Sequence, residues 1–434
     1  MSLAHKAFSI FQRDVLLFAT RLVTGIIVAR TLGPVALGIF TILSLVPSYA
    51  EAFGRLKVDV ASVYFMGQKT FRREDILFNL NLIALASVGT ILAIILWQFG
   101  PIYDWLFKNE TGNYKTELLV TMIQIPLQFL YLNYAYFHVA EENIYVYNRM
   151  VVIQAWAGSL TAIALLLMTP LGLWSVIIAP LLGTSLGLLY GWYYIDRTGW
   201  MAGRASKKVS LSMIRYGAHF YLAGLLGQLH ETGTRLISVS SLAPAQMAFL
   251  GQGQGVGQLL NKVSDALNTI LFPRISRSGS DTAADISCMA FRVSFLLLAA
   301  GGMTLAIVVE ALVVLLYGAA FQPTAAVVRY LLPGLVIGGA CGTLGGYFNG
   351  TGRAKLIPRI QFLPVAMQLL LAWVFLQRWG LSGAALAISM GLALYGLALL
   401  FVFVRVSKVS IKQLLPGAGD IRYLLKFGLS ILEK

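Results

Sequence analysis

Twelve long apolar runs, separated by short polar or Gly/Pro-containing breaks, make up most of the sequence. A helix crosses the roughly 30 Å hydrocarbon core of a bilayer with about 20 predominantly apolar residues. The chain has 434 residues, 58% hydrophobic and only 12% charged, a composition foreign to soluble domains of this size. The runs are continuous rather than alternating, which excludes a β-barrel. We therefore predict an all-α polytopic membrane protein with twelve spans at residues 10–30, 38–64, 76–98, 118–140, 150–169, 174–195, 214–241, 246–271, 289–317, 327–349, 356–376 and 382–404.

The positive charges indicate how the spans are oriented. A net charge of +15 would also suit a nucleic-acid-binding protein, but the cations lie in short loops between apolar runs. Cytoplasmic loops carry an excess of Lys and Arg. With a cytoplasmic N-terminus, most of the 33 Lys and Arg fall inside, and the outer loops hold only Arg30, Lys108, Lys115, Arg329 and Arg378. We predict that both termini are cytoplasmic and that the chain binds the lipid bilayer and no nucleic acid.

The first span lacks a charged stub before it and a small-residue cleavage site after it, so we expect it to be retained. The two cysteines, Cys288 and Cys341, both lie within spans, where they support neither a disulfide framework nor a metal site. The glycine-rich stretch 251–257 superficially resembles a phosphate-binding loop, but it follows no strand and lies inside a span. We predict no cofactor, no metal and no catalytic residue.

Segments of the second half repeat segments of the first at a nearly constant offset. The matching pairs are Leu32-Gly33-Pro34 with Leu242-Ala243-Pro244 and Leu106-Phe107 with Leu316-Tyr317 at 210, Ala135–His138 with Gly346–Asn349 at 211, and Gly172-Leu173-Trp174 with Gly380-Leu381-Ser382 at 208. Six spans separate equivalent points, so the halves have the same orientation and are related by a pseudo-two-fold axis along the membrane normal. We predict an N-lobe at 1–195, a basic cytoplasmic linker at 196–213, a C-lobe at 214–405 and a cytoplasmic tail at 406–434. The amphipathic segment 421–427 either lies on the inner leaflet or is solvated.

Ionisable residues within spans are costly and normally mark a pathway. Here they concentrate in the first two spans of each half: Arg21 in span 1; Glu51, Arg55, Lys57 and Asp59 in span 2; His230, Glu231 and Arg235 in span 7; Lys262 and Asp265 in span 8. In span 2, polar residues from Ser44 to Ser62 recur every three or four positions, and in span 8 Gln254, Gln258, Lys262, Asp265 and Asn268 do the same. The shared faces predict one hydrated cavity between the lobes. The alternative is that Glu51–Arg55, Arg55–Asp59 and Glu231–Arg235 are i, i+4 ion pairs that only hold helices together. For His230 we expect a satisfied packing role.

The segment Ala29-Arg30-Thr31-Leu32-Gly33-Pro34-Val35-Ala36-Leu37-Gly38-Ile39-Phe40 resembles the Ala-Arg-x-Leu-Gly-Pro-x-x-x-Gly-x-aromatic segment of Wzx-type polysaccharide flippases. These belong to the multidrug/oligosaccharidyl-lipid/polysaccharide exporter superfamily. Arg215-Tyr216-Gly217 and the stretch 347–355 are similar to the same family. The resemblance implies two six-helix lobes that alternate between inward-open and outward-open states, with a central cavity lined by spans 1, 2, 7 and 8. It also implies a bacterial inner-membrane flippase whose cargo is an undecaprenyl-pyrophosphate-linked glycan, with a polysaccharide polymerase and chain-length machinery as candidate partners.

Within that resemblance, the substrate-binding cations are Arg21, Arg55, Lys57, Arg235 and Lys262, and they would replace the hydration of the diphosphate. Four amides, Gln254, Gln258, Asn261 and Asn268, would bind sugar hydroxyls. The near balance of cations and carboxylates leaves the charge of the glycan open. Because the chain has no ATP-binding module, a proton or sodium gradient would drive transport, with Glu51, Asp59, Glu231 and Asp265 as coupling candidates.

Two other functions compete with this interpretation. A multidrug exporter of the same superfamily would favour an aromatic, acidic cavity, and the five cavity cations argue against it. A membrane glycosyltransferase or polymerase acting on lipid-linked sugars commonly carries a large outer loop or paired acidic residues at a membrane face. The longest outer loop here, 99–117, is short, and its only acidic residues are Asp104, Glu110 and Glu117. We therefore predict a transporter and not an enzyme.

Overall fold

The computed structural model describes residues 3–108, 110–195, 202–278, 280–417 and 420, and in these residues the regular elements are all helices. Besides two short 3-10 helices, Ala319–Phe321 and Ile411–Leu414, they are α1 Leu3–Gly54, α2 Val58–Gly67, α3 Arg73–Trp97, α4 Phe99–Leu106, α5 Lys115–Met122, α6 Gln124–Ala140, α7 Ile144–Met168, α8 Leu173–Tyr193, α9 Lys207–Ser238, α10 Pro244–Arg277, α11 Ser280–Tyr317, α12 Thr324–Gly342, α13 Gly345–Gly350 and α14 Leu356–Ser407.

The described helices account for about twelve membrane crossings. Eight helical segments are long and apolar enough to span a bilayer. Two of these, α1 and α14, are broken by a non-helical glycine at Gly33 and Gly380, so each supplies two crossings. The helices α9 and α10 have 32 and 34 residues, which is also long enough, but they carry the charges noted above. The prediction of an all-α polytopic membrane protein of about twelve spans is confirmed.

Span 2 differs from the prediction of one continuous helix over 38–64. The helix α1 ends at Gly54, and α2 begins only at Val58. Between them, Leu56 (φ 50°) and Lys57 (φ 54°) have left-handed backbone conformations. The polar stripe from Ser44 to Ser62 therefore crosses a break, which regular helical spacing does not reveal.

The chain folds into two compact units, Met1–Gln228 with Ala243–Ala248, and Leu229–Leu242 with Phe249–Lys434. The units divide inside α9, fifteen residues after the start of the C-lobe that we predicted at 214. The predicted lobe and linker boundaries stay a prediction. Residues 196–201 of the predicted linker lie outside the described part of the chain. Asn109, in the first half of the chain, also lies outside it.

In the first unit, the segment that leads into α9 is fastened to the start of α3. Asn79 is fully buried, and its Nδ2 donates to the carbonyl oxygens of Asp75 (2.7 Å) and Arg204 (2.8 Å). Its Oδ1 accepts from the amide of Ser206 (2.9 Å) and the hydroxyl of Ser210 (2.8 Å). The Asn79 side chain thus binds both a hydrogen-bond acceptor and two donors of the segment 203–210, and these contacts set where α9 begins.

In the second unit, a large apolar core packs around Tyr347, Phe348 and Phe403, and Leu414 from the segment after α14 joins it. Arg292 holds this segment in place by donating to Asp420 (2.9 Å) and to the carbonyl oxygen of Gln413 (2.6 Å). Burial favours a higher pKa for Asp420, but hydrogen bonds from the Gly417 amide and the Arg292 guanidinium lower that pKa below its ordinary value. The carboxylate therefore stays charged at neutral pH. The predicted amphipathic segment 421–427 lies outside the described residues.

The two halves share local backbone geometry at repeated positions. Gly172 (φ 52°, ψ −117°) and Gly380 (φ 53°, ψ −125°), at offset 208, adopt the same rare conformation. The turn after α6 and the turn after α13 also have the same hydrogen bonds: Asn143 N to His138 O (2.9 Å) matches Arg353 N to Phe348 O (2.7 Å). These bonds match at an offset of 210, one less than the 211 that the Tyr-Phe letters indicate.

Gly380 provides a test of this conformation. Only glycine adopts φ 53° and ψ −125° without strain, although a Cβ at this position would meet open space. Gly380→Ala is therefore expected to lower the free energy of unfolding by about 1–3 kcal/mol through backbone strain alone. Thermal unfolding in detergent measures the loss. Gly89→Ala is the matched control, because Gly89 lies within α3 and also faces open space; an equal loss there would contradict the strain argument.

Candidate functional site

A small charged cavity lies beside the break in span 2. Its volume is about 110 Å³, and all of its lining residues belong to the first unit. The lining is contributed by the end of α1, the break itself and the first part of α9: Ser48, Glu51, Ala52, Arg55, Leu56, Lys57, Gly224 and Gln228.

The helix α9 packs closely against the break. A Cβ on Gly217 would collide with the carbonyl oxygen of Leu56, and one on Gly224 would collide with the side chain of Lys57. Tyr221 donates its hydroxyl to the carbonyl oxygen of Phe53 (3.2 Å). Gly217 is the last residue of the Arg215-Tyr216-Gly217 motif, which gives the motif a structural role. The left-handed turn at Leu56 and Lys57 packs against α9 at positions where glycine leaves room for it.

Arg55 is the centre of a buried ion cluster at this break. Its guanidinium pairs with Glu51 (3.1 Å) and with Asp59 (3.0 Å), and it lies 5.6 Å above the ring of Tyr136. Arg55 is 8% exposed and Asp59 is 1% exposed, whereas Glu51 is 34% exposed. Two of the three i, i+4 ion pairs of the alternative interpretation, Glu51–Arg55 and Arg55–Asp59, are therefore formed, and they bridge the break. With Lys57 on the cavity wall, the four charges cancel.

This arrangement determines what the cluster can bind. An incoming anion reaches the Arg55 guanidinium only if it displaces one carboxylate. Glu51 is the replaceable partner because it borders the cavity and is partly exposed, whereas Asp59 is enclosed. Lys57 adds a second cation on the same wall. The site can exchange an internal carboxylate for an external anion.

A second group of predicted residues lies together in the second unit. The Arg235 Nε donates to Gln254 Oε1, and Gln254 Nε2 donates to the carbonyl oxygen of Glu231 (3.4 Å). Gln254 is 9% exposed and thus joins α10 to α9 at the position of Arg235. Lys262 and Asp265 form an exposed ion pair of 3.2 Å.

The remaining predicted residues are placed differently. Arg21 and Gln258 are exposed on α1 and α10. The side-chain oxygen of Asn261 is buried against Gly339 of α12 and has no partner among the described residues. That of Asn268 lies near Gly346 of α13. The structure thus brings together one group in each unit, and the convergence of both groups on one cavity stays a prediction.

Two polar clusters escaped the sequence analysis. In the first unit, amides on α6 and α7 share the hydroxyl of Thr184 on α8: Gln124 Nε2 donates to it at 2.8 Å and Gln154 Nε2 at 3.1 Å. In the second unit, neither ring nitrogen of His230 meets the geometry of a hydrogen bond in the described part of the chain, but the ring packs against Tyr395 and lies beside the Gln368 amide, so its packing role stays a prediction. A search for charged residues omits glutamines, although the i, i+4 spacing of Gln124 and Gln128 in one span could have indicated the first cluster.

A larger, mainly apolar pocket of about 480 Å³ lies between α1 and α7 in the first unit. The hydroxyls of Thr20 and Thr24 donate back to carbonyl oxygens of their own helix (2.9 and 2.8 Å). The pocket therefore presents mostly hydrocarbon, which suits an aliphatic chain.

Comparison with known proteins identifies the family. Residues 3–278 match the family described as "Polysaccharide biosynthesis protein", which covers more than half of the chain. The chain belongs to this family. The resemblance to Wzx-type flippases of the exporter superfamily, drawn from residues 29–40, is thereby confirmed. No curated protein matches the chain.

Solved structures similar to this polysaccharide biosynthesis protein show its fold. The lipid II flippase MurJ in an inward closed conformation has a TM-score of 0.73 at 15% identity, covering 93% of this chain and 88% of that chain. An inward-facing multidrug resistance MATE family transporter of the MOP superfamily has a TM-score of 0.71 at 14% identity, covering 90% and 94%. The Vibrio cholerae MATE transporter VcmN in the bent form has a TM-score of 0.59 at 15% identity, covering 93% and 98%. At these identities the likeness establishes the fold alone.

Proposed function

We propose that this protein is a flippase that moves undecaprenyl-pyrophosphate-linked oligosaccharide repeat units from the cytoplasmic to the periplasmic leaflet by alternating access. The family match supports a role in polysaccharide biosynthesis, and the fold is one that transporters use. The ion cluster around Arg55 carries the proposal, because a buried guanidinium with one displaceable carboxylate suits a diphosphate headgroup.

In this proposal the diphosphate displaces Glu51 from Arg55 and gains a second contact from Lys57. Arg21, Arg235 and Lys262 supply further positive charge during passage. Gln254, Gln258, Asn261 and Asn268 exchange hydrogen bonds with sugar hydroxyls. Glu51, Asp59, Glu231 and Asp265 are candidate sites for a coupling proton or sodium ion. The isoprenoid tail stays in the hydrocarbon phase, and the apolar pocket between α1 and α7 suits part of it.

The setting of the proposal is a bacterial inner membrane with both termini in the cytoplasm, where polysaccharide polymerase and chain-length machinery would take over the exported unit. A multidrug exporter shares the fold, but the family match favours a sugar-linked cargo. A glycosyltransferase or polymerase is disfavoured because the fold neighbours are transporters.

The double variant Arg21→Ala/Arg235→Ala tests the cargo role. We expect it to abolish polymer export while the protein remains folded and inserted, because it removes one cargo cation from each unit without opening the Arg55 cluster. The measurement is surface polymer, together with lipid-linked repeat units accumulating on the cytoplasmic side, in cells lacking the native gene. Arg378→Ala, an exposed cation of a predicted outer loop, is the control. Normal polymer export by the double variant would contradict the proposal.

A further inference from the structure

His230 in α9 is a titratable side chain that the proposed cargo path does not use. Both of its ring nitrogens are inaccessible to solvent and lack a hydrogen-bond partner among the described residues. The ring of Tyr395 packs edge-on against the imidazole, with centroids 5.4 Å apart. All of these groups belong to the second unit.

Gln368 of α14 is held next to this imidazole with its oxygen unused. Its Nε2 donates to the carbonyl oxygen of His230 (3.0 Å) and to the hydroxyl of Thr234 (3.1 Å). Gly391, in the second half of α14, leaves the room that the fully buried Gln368 side chain occupies. These contacts fix the amide, so its Oε1 is a buried acceptor without a donor.

Three unpaired polar atoms in one place are unfavourable. A neutral imidazole has one N–H donor and one acceptor nitrogen. Each buried polar group without a partner costs about 1–3 kcal/mol. The groups that face His230 from α9 and α14 are Thr234, Gln368 and Tyr395, and none is charged at neutral pH. A protonated imidazole has two N–H donors, and Gln368 Oε1 is an acceptor without a donor on the amide that binds the His230 carbonyl oxygen.

Three of the candidate carboxylates already have cationic partners. Glu51 and Asp59 share Arg55, and Asp265 pairs with Lys262. Histidine, in contrast, ordinarily changes its charge between about pH 5 and 8.

A contact path joins His230 to the cargo group of the same unit. Gln368 binds the carbonyl oxygen of His230, and Gln254 binds the carbonyl oxygen of the next residue, Glu231, while accepting from Arg235. Two glutamines from α14 and α10 thus hold one turn of α9. The turn that carries the imidazole is therefore held by the same glutamine that accepts from Arg235.

We propose that His230 is the proton-binding site through which a pH gradient drives transport, with Gln368 as its positioning residue. This inference rests on the proposed flippase function. The imidazole lone pair accepts a proton from water on one side of the membrane and returns it on the other, so no other bond forms or breaks. Hard cations prefer several oxygen ligands, which makes a proton the better occupant than sodium.

The first test observes the proton directly. Nitrogen-15 NMR of the histidine-labelled full chain in lipid nanodiscs follows each imidazole between about pH 5 and 8. We expect the signal that His230→Gln removes, or His230→Asn should that variant not fold, to change between neutral and protonated forms. Adding undecaprenyl pyrophosphate should change its proton affinity by about fivefold or more. His219→Gln removes an exposed histidine of the same helix and should leave that signal unchanged.

An imidazole that stays neutral throughout this range would overturn the inference and indicate a buried water as the partner. Titration that undecaprenyl pyrophosphate does not change would overturn the coupling.

The second test separates this inference from the proposed function. Movement of undecaprenyl pyrophosphate across proteoliposome membranes is measured with and without an imposed pH gradient. We expect the gradient to accelerate wild type and His219→Gln, and His230→Gln to keep only the gradient-independent movement. Equal acceleration of His230→Gln would overturn the inference and leave the flippase standing. A wild-type protein that moves no lipid at all would instead overturn the proposed function.

Discussion

Arg55→Ala is expected to destabilise the first unit by about 3–5 kcal/mol, because it leaves the enclosed Asp59 carboxylate without a counter-charge. It also removes the cation that the proposal assigns to the diphosphate, so polymer export should be lost. Chemical unfolding in detergent micelles measures the stability, and surface polymer in cells measures export.

The double variant Arg55→Leu/Asp59→Leu separates the two effects. A buried ion pair replaced by apolar side chains of similar volume is often neutral or more stable, so stability should recover to within about 1 kcal/mol of wild type. Export should stay absent, because no cation replaces Arg55. Lys262→Ala, which breaks an exposed pair, is the stability control and should cost about 0.5 kcal/mol or less. An Arg55→Ala protein as stable as wild type would mean that the ion cluster does not hold the break together.

The apolar runs made the fold largely predictable. Each run is long enough to define one crossing, and the cations between runs are few enough to be assigned to inner or outer loops.

The breaks within the helices were less uniformly predictable from the sequence. Gly33 and Gly380 are glycines, which the sequence displays, whereas the break at Leu56 and Lys57 has neither glycine nor proline at the left-handed positions. Its cause lies more than 150 residues away, at Gly217 and Gly224 of α9, and regular spacing cannot reveal it.

The candidate site shows the same division between local and distant causes. The Glu51–Arg55 and Arg55–Asp59 pairs follow from i, i+4 spacing and were anticipated as one of two interpretations. Spacing could not tell which carboxylate is enclosed, because that depends on the helices packed around the break. The surroundings of His230 were hidden from the sequence for a related reason: the amide beside it comes from Gln368 on α14, and its nitrogen donates to the His230 carbonyl oxygen.

Asn79 is the uncharged side chain whose replacement should lower stability most after that of Arg55. Asn79→Leu keeps the approximate volume but leaves the Arg204 carbonyl, the Ser206 amide and the Ser210 hydroxyl without that partner. Buried polar groups that lose a partner cost about 1–3 kcal/mol each. We expect the segment 203–210 to detach from α3 at a cost of about 3 kcal/mol.

Trypsin reports this detachment, because Arg204, Lys207 and Lys208 lie within the fastened segment. Cleavage requires local opening. Because 1.4 kcal/mol corresponds to a tenfold change, cleavage of Asn79→Leu at these sites should be about 100-fold faster than in wild type. Asn349→Leu changes an exposed asparagine of α13 and should leave the cleavage rate unchanged. Since α9 carries the glycines that fit the break in span 2, Asn79→Leu should also weaken export, and a variant cut at the wild-type rate would show that other contacts hold the segment.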